Sequence, residues 1–477
     1  MNKKKLFENA APQAHDLHDA NRIIQELWNK LREYEDRLAL SSRNSSKSPS
    51  SDSPAAKAER KKFTTPRGRN QVGAQPGHTG HRRELSELQS TDLVVACKPA
   101  SCCAECGGEV VANAAPSFRH QVFELPTLPL EITEYQLFHG HCRHCDALSK
   151  GELPKAAPSG QMGPRLLSYI AVLAGQYHLS VRKIQSLLRD QYGMTFSVGA
   201  ISEAQGRISS MLTPIHQALK QHIQKAPIIH ADETTHQRNG ESNTRWLWLM
   251  ATTDAVFQNI RYFRSQDNAK HLLGAVTHGV VVTDQCASYH WLDPTRHQFC
   301  LAHVQRNLQE MADYGGGGQT AYLGRRLVVL FKTVFRTQHR YESSGLIGEQ
   351  VWLRRMHRLR RSIQVVLTQG AETPARRYAG RCQHILKYET GLWVFLQYPG
   401  TPLTNNEAER CIRGSVILRK ICFGTSSDRG DKFRSRVLSV IETCKKRSQS
   451  AIEVLCRIVT AVMTGQPYPD VFNLTSA

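Results

Sequence analysis

Two acidic side chains stand where buried strands should end. Ala226-Pro-Ile-Ile-His-Ala-Asp232 is a short run of small and β-branched residues closing on Asp232, and Gly279-Val-Val-Val-Thr-Asp284 repeats the pattern. Such runs read as strands buried on both faces. A carboxylate at the rim of their sheet is held rigidly, and two together suit a hard divalent cation, which takes oxygen ligands. Far downstream, Pro402-Leu-Thr-Asn-Asn-Glu-Ala-Glu-Arg410 opens a helix that Thr404 or Asn405 can cap. Glu409 shares a face of it with Arg413, and Glu407 lies about 200° around the helix from Glu409. Either acid can be a third ligand; the pattern is also that of an ordinary amphipathic helix with a surface ion pair.

A second chemistry belongs to sulfur. Cys103-Ala-Glu-Cys106 and Cys142-Arg-His-Cys145 are two tight turns, each aiming a pair of thiolates at one point. Two such turns complete a closed, tetrahedral, structural zinc site, which is not a catalytic one. Cys97 and Cys102 are spare and can stand in register for Cys103. Between the turns, Gln121–Leu125 and Leu130–Phe138 alternate as strands do, so hairpins are expected there.

The elements that must position these groups follow from periodicity. Over residues 16–40, Leu17, Ile24, Leu27, Leu31, Tyr34 and Leu38 recur three and four apart, the seam of a short coiled coil or of a helix docked on its own domain. Residues 41–90 form a Ser-rich, then Arg/Lys/Gly-rich linker with too little apolar surface to fold alone. The zinc-binding β domain occupies 91–155. Residues 156–222 read as helices with a helix, Gly-containing break and helix that resembles a helix-turn-helix DNA-binding domain. From 223 to 312 come three strands, a helix and a strand, the order of a ribonuclease H-like α/β core that would place Asp232 and Asp284 on adjacent strands. A basic helical insertion fills 313–401, and helices at 402–465 return to the core.

Composition narrows the partner. Lys and Arg outnumber Asp and Glu by 62 to 41 in 477 residues, a net charge of +21. That excess points to a polyanion, bound through phosphate neutralisation and counterion release. The absence of a bilayer-length apolar run or a secretory start, together with an odd count of 13 cysteines, gives the expectation of a cytoplasmic protein with reduced thiols.

Taken in order, these motifs resemble the transposases of the bacterial insertion-sequence 66 group, a branch of the DDE transposases. The likeness runs through Asn44–Asp52, Gly73-Ala-Gln-Pro-Gly-His-Thr-Gly-His81, the paired Cys-x-x-Cys turns and His230-Ala-Asp-Glu-Thr234. It continues through Val281–Tyr289, Cys300-Leu-Ala-His303, Asn405-Asn-Glu-Ala-Glu-Arg410 and Arg419-Lys420. The chain departs from the family at Gln285-Cys286, where a Gly-Tyr pair is usual. The resemblance implies that Asp232, Asp284 and Glu409 are the catalytic acids and bind Mg²⁺ or Mn²⁺, with Asp232 bridging two ions. It implies that Arg410, Arg413, Arg419 and Lys420 hold phosphates of double-stranded DNA, both transposon end and target. It further implies strand cleavage and strand transfer by a homo-oligomer on DNA, with accessory proteins from the same element as possible partners. Cys300 and His303 match a family pair without an assigned role. Two alternatives stand beside this reading, a transposase-derived DNA-binding protein without catalysis and a ribonuclease H-like nuclease.

Overall fold

Asp16 starts the first helix, α1 (Leu17–Leu38), by accepting the Asp19 N–H. The computed structural model describes residues 13–45, 52, 57, 94–123, 125, 130–154, 157, 158, 160–274, 278–342, 345–422, 424–470 and 472. Most of the expected linker, with its Gly73–His81 motif, lies outside the described residues. The chain divides into two compact units, Glu59–Thr133 alone and Met1–Ala58 with Glu134–Ala477. The apolar seam of α1 stays open: Ile24, Leu27, Leu31 and Tyr34 are all half exposed or more.

Residues 121–123 and 130–138 form no strand, because alternation supplies side-chain faces but not a paired neighbour. The short hairpin β1 (His139–His141) and β2 (Leu148–Lys150) frames the second Cys-x-x-Cys turn instead. Four helices follow: α2 (Pro164–Gly175), α3 (Val181–Tyr192), α4 (Val198–Met211) and α5 (Thr213–Gln224). Ser180 and Ser197 cap α3 and α4 by accepting backbone N–H groups at 3.3 and 3.1 Å. Gly193 ends α3 at φ 68°, a left-handed conformation that glycine adopts without strain.

The sheet comprises β3 (Ile228–His236), β4 (Arg245–Ala251), β5 (Val256–Tyr262), β6 (Val280–Thr283) and β7 (His297–Phe299), with α6 (Gln266–Leu273) joining β5 to β6. Its order is β5-β4-β3-β6-β7; the first three strands are antiparallel and the last three parallel. Beyond it lie α7 (Leu301–Ala312), then α8 (Gly318–Glu342), α9 (Glu349–Ala371) and α10 (Arg376–Lys387). The chain closes with α11 (Asn406–Cys422), α12 (Asp428–Lys446) and α13 (Ala451–Met463). Alternation along β4 gives the sheet two apolar faces. Trp248 and Met250 join Ile229, Ala231 and Val281 in one core with residues of α2–α6, α12 and α13. Leu247, Leu249 and Ala251 face the other way, onto Ala408, Cys411 and Ile412 of α11. The insertion has its own core, in which Phe331, Met356 and Trp393 pack with Leu301 and Leu308 of α7.

One sheet edge is closed by hydroxyls. Along α12, Ser435, Ser439 and Thr443 recur every four residues and accept the N–H groups of Ile260, Gln258 and Val256 at 3.2, 2.8 and 3.0 Å. The outward backbone donors of edge strand β5 are satisfied by a helix rather than by another strand.

Two histidines are folded in as neutral rings. His216 stacks on Phe257 and meets the Gln258 carbonyl at 2.9 Å; His297 meets Thr283 Oγ1 at 2.7 Å. Burial pushes them down to about 4 and about 3. Both values lie below the unfolded value near 6.5, so their contribution to stability is whole above that pH and is lost as pH falls through 6.5 toward the folded values. Each ring then costs up to about 1.4 kcal/mol per pH unit. Urea midpoints should therefore fall steeply from pH 6.5 to 4.5, and the His216→Gln variant should show a shallower decline. Equal slopes would remove His216 from the account.

Candidate functional site

Parallel pairing sets His230 beside Val282, so two residues further along each strand Asp232 and Asp284 emerge side by side. The expected strand end at Asp232 is corrected in one respect. β3 runs on to His236, still paired with β4, where His236 faces Arg245. Asp232 therefore marks where the shorter β6 leaves off, not where its own strand stops. Asp284 follows β6 directly, and its Oδ1 accepts the Cys286 N–H at 2.8 Å.

Glu409 is brought in by Asn405. Helix α11 packs on β3 and β4, and its first turn is fastened by the side chain just before it. Asn405 Nδ2 donates to the Ala231 carbonyl at 2.7 Å, and its Oδ1 accepts from His230 Nδ1 at 3.0 Å. Its backbone N–H points at Cys300 Sγ, 3.2 Å away, and its carbonyl accepts the Glu409 N–H at 3.1 Å. One buried amide thus ties the residues flanking Asp232 to the helix that carries Glu409. Sequence reasoning treated Asn405 as a possible cap and missed this role. The repeated Asn-Asn before the two acids is the signal that held it.

The neighbouring acids act on Asp232. Burial first, then the charges of Glu233, Asp284 and Glu409, raise the Asp232 carboxyl well above the ordinary range, against one backbone N–H from Glu233. Glu409 Oε1 is buried and accepts no hydrogen bond among the described residues; Arg306 Nη2 is 3.8 Å from it. Asp284 and Glu409 each also belong to a tighter cluster of possible ligand atoms, the first with Glu233 and Cys286 and the second with Cys300 and His303; Asp232 belongs to neither.

Glu233 is a fourth acid, and it is already satisfied. Tyr289 Oη donates to its Oε2 at 2.5 Å, and Arg264 Nε to its Oε1 at 2.7 Å. Burial and Asp284 nonetheless raise its carboxyl, against Arg264 and Tyr289. Glu233, Asp284 and Cys286 place ligand atoms within 4.8 Å of one another. Arg264, whose Nη2 lies 3.6 Å from Asp284 Oδ2, supplies positive charge to that group from within the chain. Glu407, the rival third acid, turns from the trio: it pairs with Lys446 of α12 and stands 4.0 Å from Arg410.

The basic residues of α11 divide. Arg410 and Arg413 are exposed, as is Lys420. Arg419 folds back on β3 instead, where its Nη1 donates to Thr234 Oγ1 at 3.2 Å and to Thr235. Desolvation lowers its guanidinium from the usual value. That nitrogen fastens the helix to the strand.

Each Cys-x-x-Cys turn is built alike. Cys103 N–H donates to the Gly108 carbonyl at 2.8 Å and Gly107 N–H to that of Cys103 at 2.9 Å; Cys142 N–H donates to Ala147 at 2.9 Å and Asp146 N–H to Cys142 at 2.8 Å. Backbone N–H groups of Cys106 and Glu105 lower the Cys103 thiol, and those of His144 and Cys145 lower Cys142. Both first cysteines of the turns are thereby disposed toward the thiolate, the form that binds metal.

No helix among the described residues is long and apolar enough to cross a membrane. Comparison with known proteins gives two relatives from Sinorhizobium fredii, both named as uncharacterized. One, y4hP, is 24% identical over 74% of this chain and 68% of its own length. The other, y4qI, is 22% identical over 66% of this chain and 62% of its own, so the chain spans about two thirds of these relatives. A family model described as a family of unknown function (DUF6444) matches residues 9–84. A second, described as the transposase IS66 family, matches residues 159–432, a stretch that takes in the whole sheet, both aspartates and Glu409. The chain belongs to the IS66 family of transposases.

Proposed function

We propose that the protein cleaves and joins DNA strands at transposon ends, with Asp232, Asp284 and Glu409 as its catalytic acids on a ribonuclease H-like core. The observation that carries this reading is that Asp284, at the end of β6, and Glu409, in the first turn of α11, lie near enough to Asp232 on β3 for their charges to add to burial and Glu233 in raising its carboxyl. The core assignment rests on three antiparallel strands, a helix and a parallel strand placing the two aspartates on neighbours. Held by the three acids, magnesium or manganese would supply the charge stabilisation that attacking and leaving oxygens need at phosphorus.

The chain's own residues do the rest. Asn405 and Arg419 keep α11 registered on β3, and Glu233, gripped by Arg264 and Tyr289, fixes the wall beside Asp284. Arg410, Arg413 and Lys420 hold DNA phosphates. A groove lined by Arg207 of α4 and Arg429, Lys432 and Arg436 of α12 adds basic surface for the duplex. Water attacks the phosphodiester at the transposon end and frees a 3′-hydroxyl, which then attacks a target phosphodiester and displaces the target strand's 3′-oxygen. The open seam of α1 fits self-association on DNA, and each Cys-x-x-Cys turn, Cys103 with Cys106 and Cys142 with Cys145, offers thiolates for structural zinc.

The test is a strand-transfer assay with purified full-length protein, Mg²⁺ and the DNA flanking its reading frame. Joined products confirm the activity; binding without any cleavage favours the non-catalytic DNA-binding reading. Replacing Glu407 by Gln should lower thermal stability through Lys446 and leave cleavage standing. A loss as deep as that of Glu409→Gln would move the third acid to Glu407.

A further inference from the structure

Beside the acid trio lies a donor set of different chemistry. Cys300, at the start of α7, and His303, one turn along, meet Glu409 with sulfur, nitrogen and oxygen atoms all within 4.8 Å of one another. His303 Nδ1 and Glu409 Oε1 are both buried and make no hydrogen bond among the described residues. They stand 3.6 Å apart, too far for a hydrogen bond. Two donors that share one tetrahedral ion, each at about 2.1 Å, stand about 3.4 Å apart. The Cys300 sulfur is buried, and a backbone N–H, that of Asn405, points at it from 3.2 Å. Arg306 is the cation nearest Glu409 in this arrangement. It is about one third exposed, so its side chain can swing aside.

The three donor types discriminate among ions. Magnesium and calcium take oxygen; a thiolate with an imidazole and one carboxylate selects zinc and its transition-metal neighbours. Three protein ligands also leave a fourth position for water. We infer that Cys300, His303 and Glu409 form a site for a zinc-class ion. When the site is filled, Glu409 is withdrawn from the acid trio, and zinc acts as an inhibitor of magnesium-dependent strand cleavage. The binding half of the inference stands on the donor geometry alone; the inhibitory half rests on the catalytic reading proposed above.

Cobalt(II) serves as the probe, because a thiolate ligand gives it a sulfur-to-metal charge-transfer band. Metal-free full-length protein and the variants Cys300→Ser and His303→Ala are titrated with cobalt and the bound equivalents counted. Circular dichroism establishes that each variant is folded. The expected result is one equivalent fewer in each variant, with a matching loss of charge-transfer intensity in Cys300→Ser. In a cleavage assay at fixed Mg²⁺, the zinc concentration for half-inhibition should rise at least tenfold in His303→Ala. Equal cobalt stoichiometry in all three proteins overturns the site. An unshifted zinc midpoint overturns the inhibition. Loss of one cobalt in the variants, with no cleavage by any of the proteins, would support the site while refuting the catalytic reading.

Discussion

Asp232→Asn, Asp284→Asn and Glu409→Gln are each expected to lower strand cleavage by at least about 10³-fold, because on the proposed reading each removes a negative ligand where charge is balanced at phosphorus. Duplex binding should persist in all three, since the exposed guanidiniums of Arg410 and Arg413 and the Lys420 ammonium remain. Gel-shift and cleavage assays on the same preparations separate the two effects. The near-isosteric amides keep the packing, and the Asp232 change should be neutral or mildly stabilising. Asn at this position no longer forces a charge among Glu233, Asp284 and Glu409. Metal-dependent cleavage that survives all three substitutions would sink the assignment. The Asn405→Ala variant belongs to the same experiment: Glu409 keeps its carboxylate but loses its mooring, so a drop in cleavage there reports position rather than ligand count.

The largest loss of stability is expected beside the end of β3, at Asp431. Its Oδ2 accepts from Arg238 Nη1 and Arg245 Nη1, both at 2.7 Å, while its Oδ1 takes a hydrogen bond from Thr425 and lies 3.4 Å from His236 Nε2. The side chains of Arg245 and Asp431 are each only 6% exposed. Burial works against the Asp431 anion, yet His236, Thr425 and Arg238 outweigh it and hold the carboxyl below its usual value. The junction therefore stabilises the fold above the ordinary carboxylate range and weakens as pH falls through the depressed value. Asp431→Ala leaves two guanidiniums facing each other with less counter-charge, a change that costs about 3–5 kcal/mol when a buried pair is broken. Urea unfolding at neutral pH checks it. A loss under about 1 kcal/mol would show that Glu241 and Asp428, which also touch Arg245, carry the junction by themselves.

How far the sequence could be read depends on whether a residue's partner is local. The strands around Asp232 and Asp284 were legible because buried strands need unbroken apolar runs, and α3 and α4 because Ser180 and Ser197 announce their starts. The extension of β3 past Asp232 was not, since Glu233-Thr-Thr-His236 looks polar and is held by β4. From local sequence, Asn405 reads as a cap and Arg419 as a phosphate ligand. Their partners on β3 lie more than 170 residues away in sequence, and periodicity carries no information at that range. The apolar faces of α2–α5 showed that these helices cover something. Only the structure shows that they cover the same core as the sheet and α12. Spacing leaves Glu407 and Glu409 as rivals; in the fold Glu407 pairs with Lys446.

The hydroxyl row of α12 has a consequence for crowding. If copies assemble on one short piece of DNA, as proposed above, an unguarded sheet border would invite neighbours to zip together through their backbones. Here that border is already stitched to Ser435, Ser439 and Thr443. Copies brought shoulder to shoulder there would meet a β5 margin whose Val256, Gln258 and Ile260 donors are already engaged.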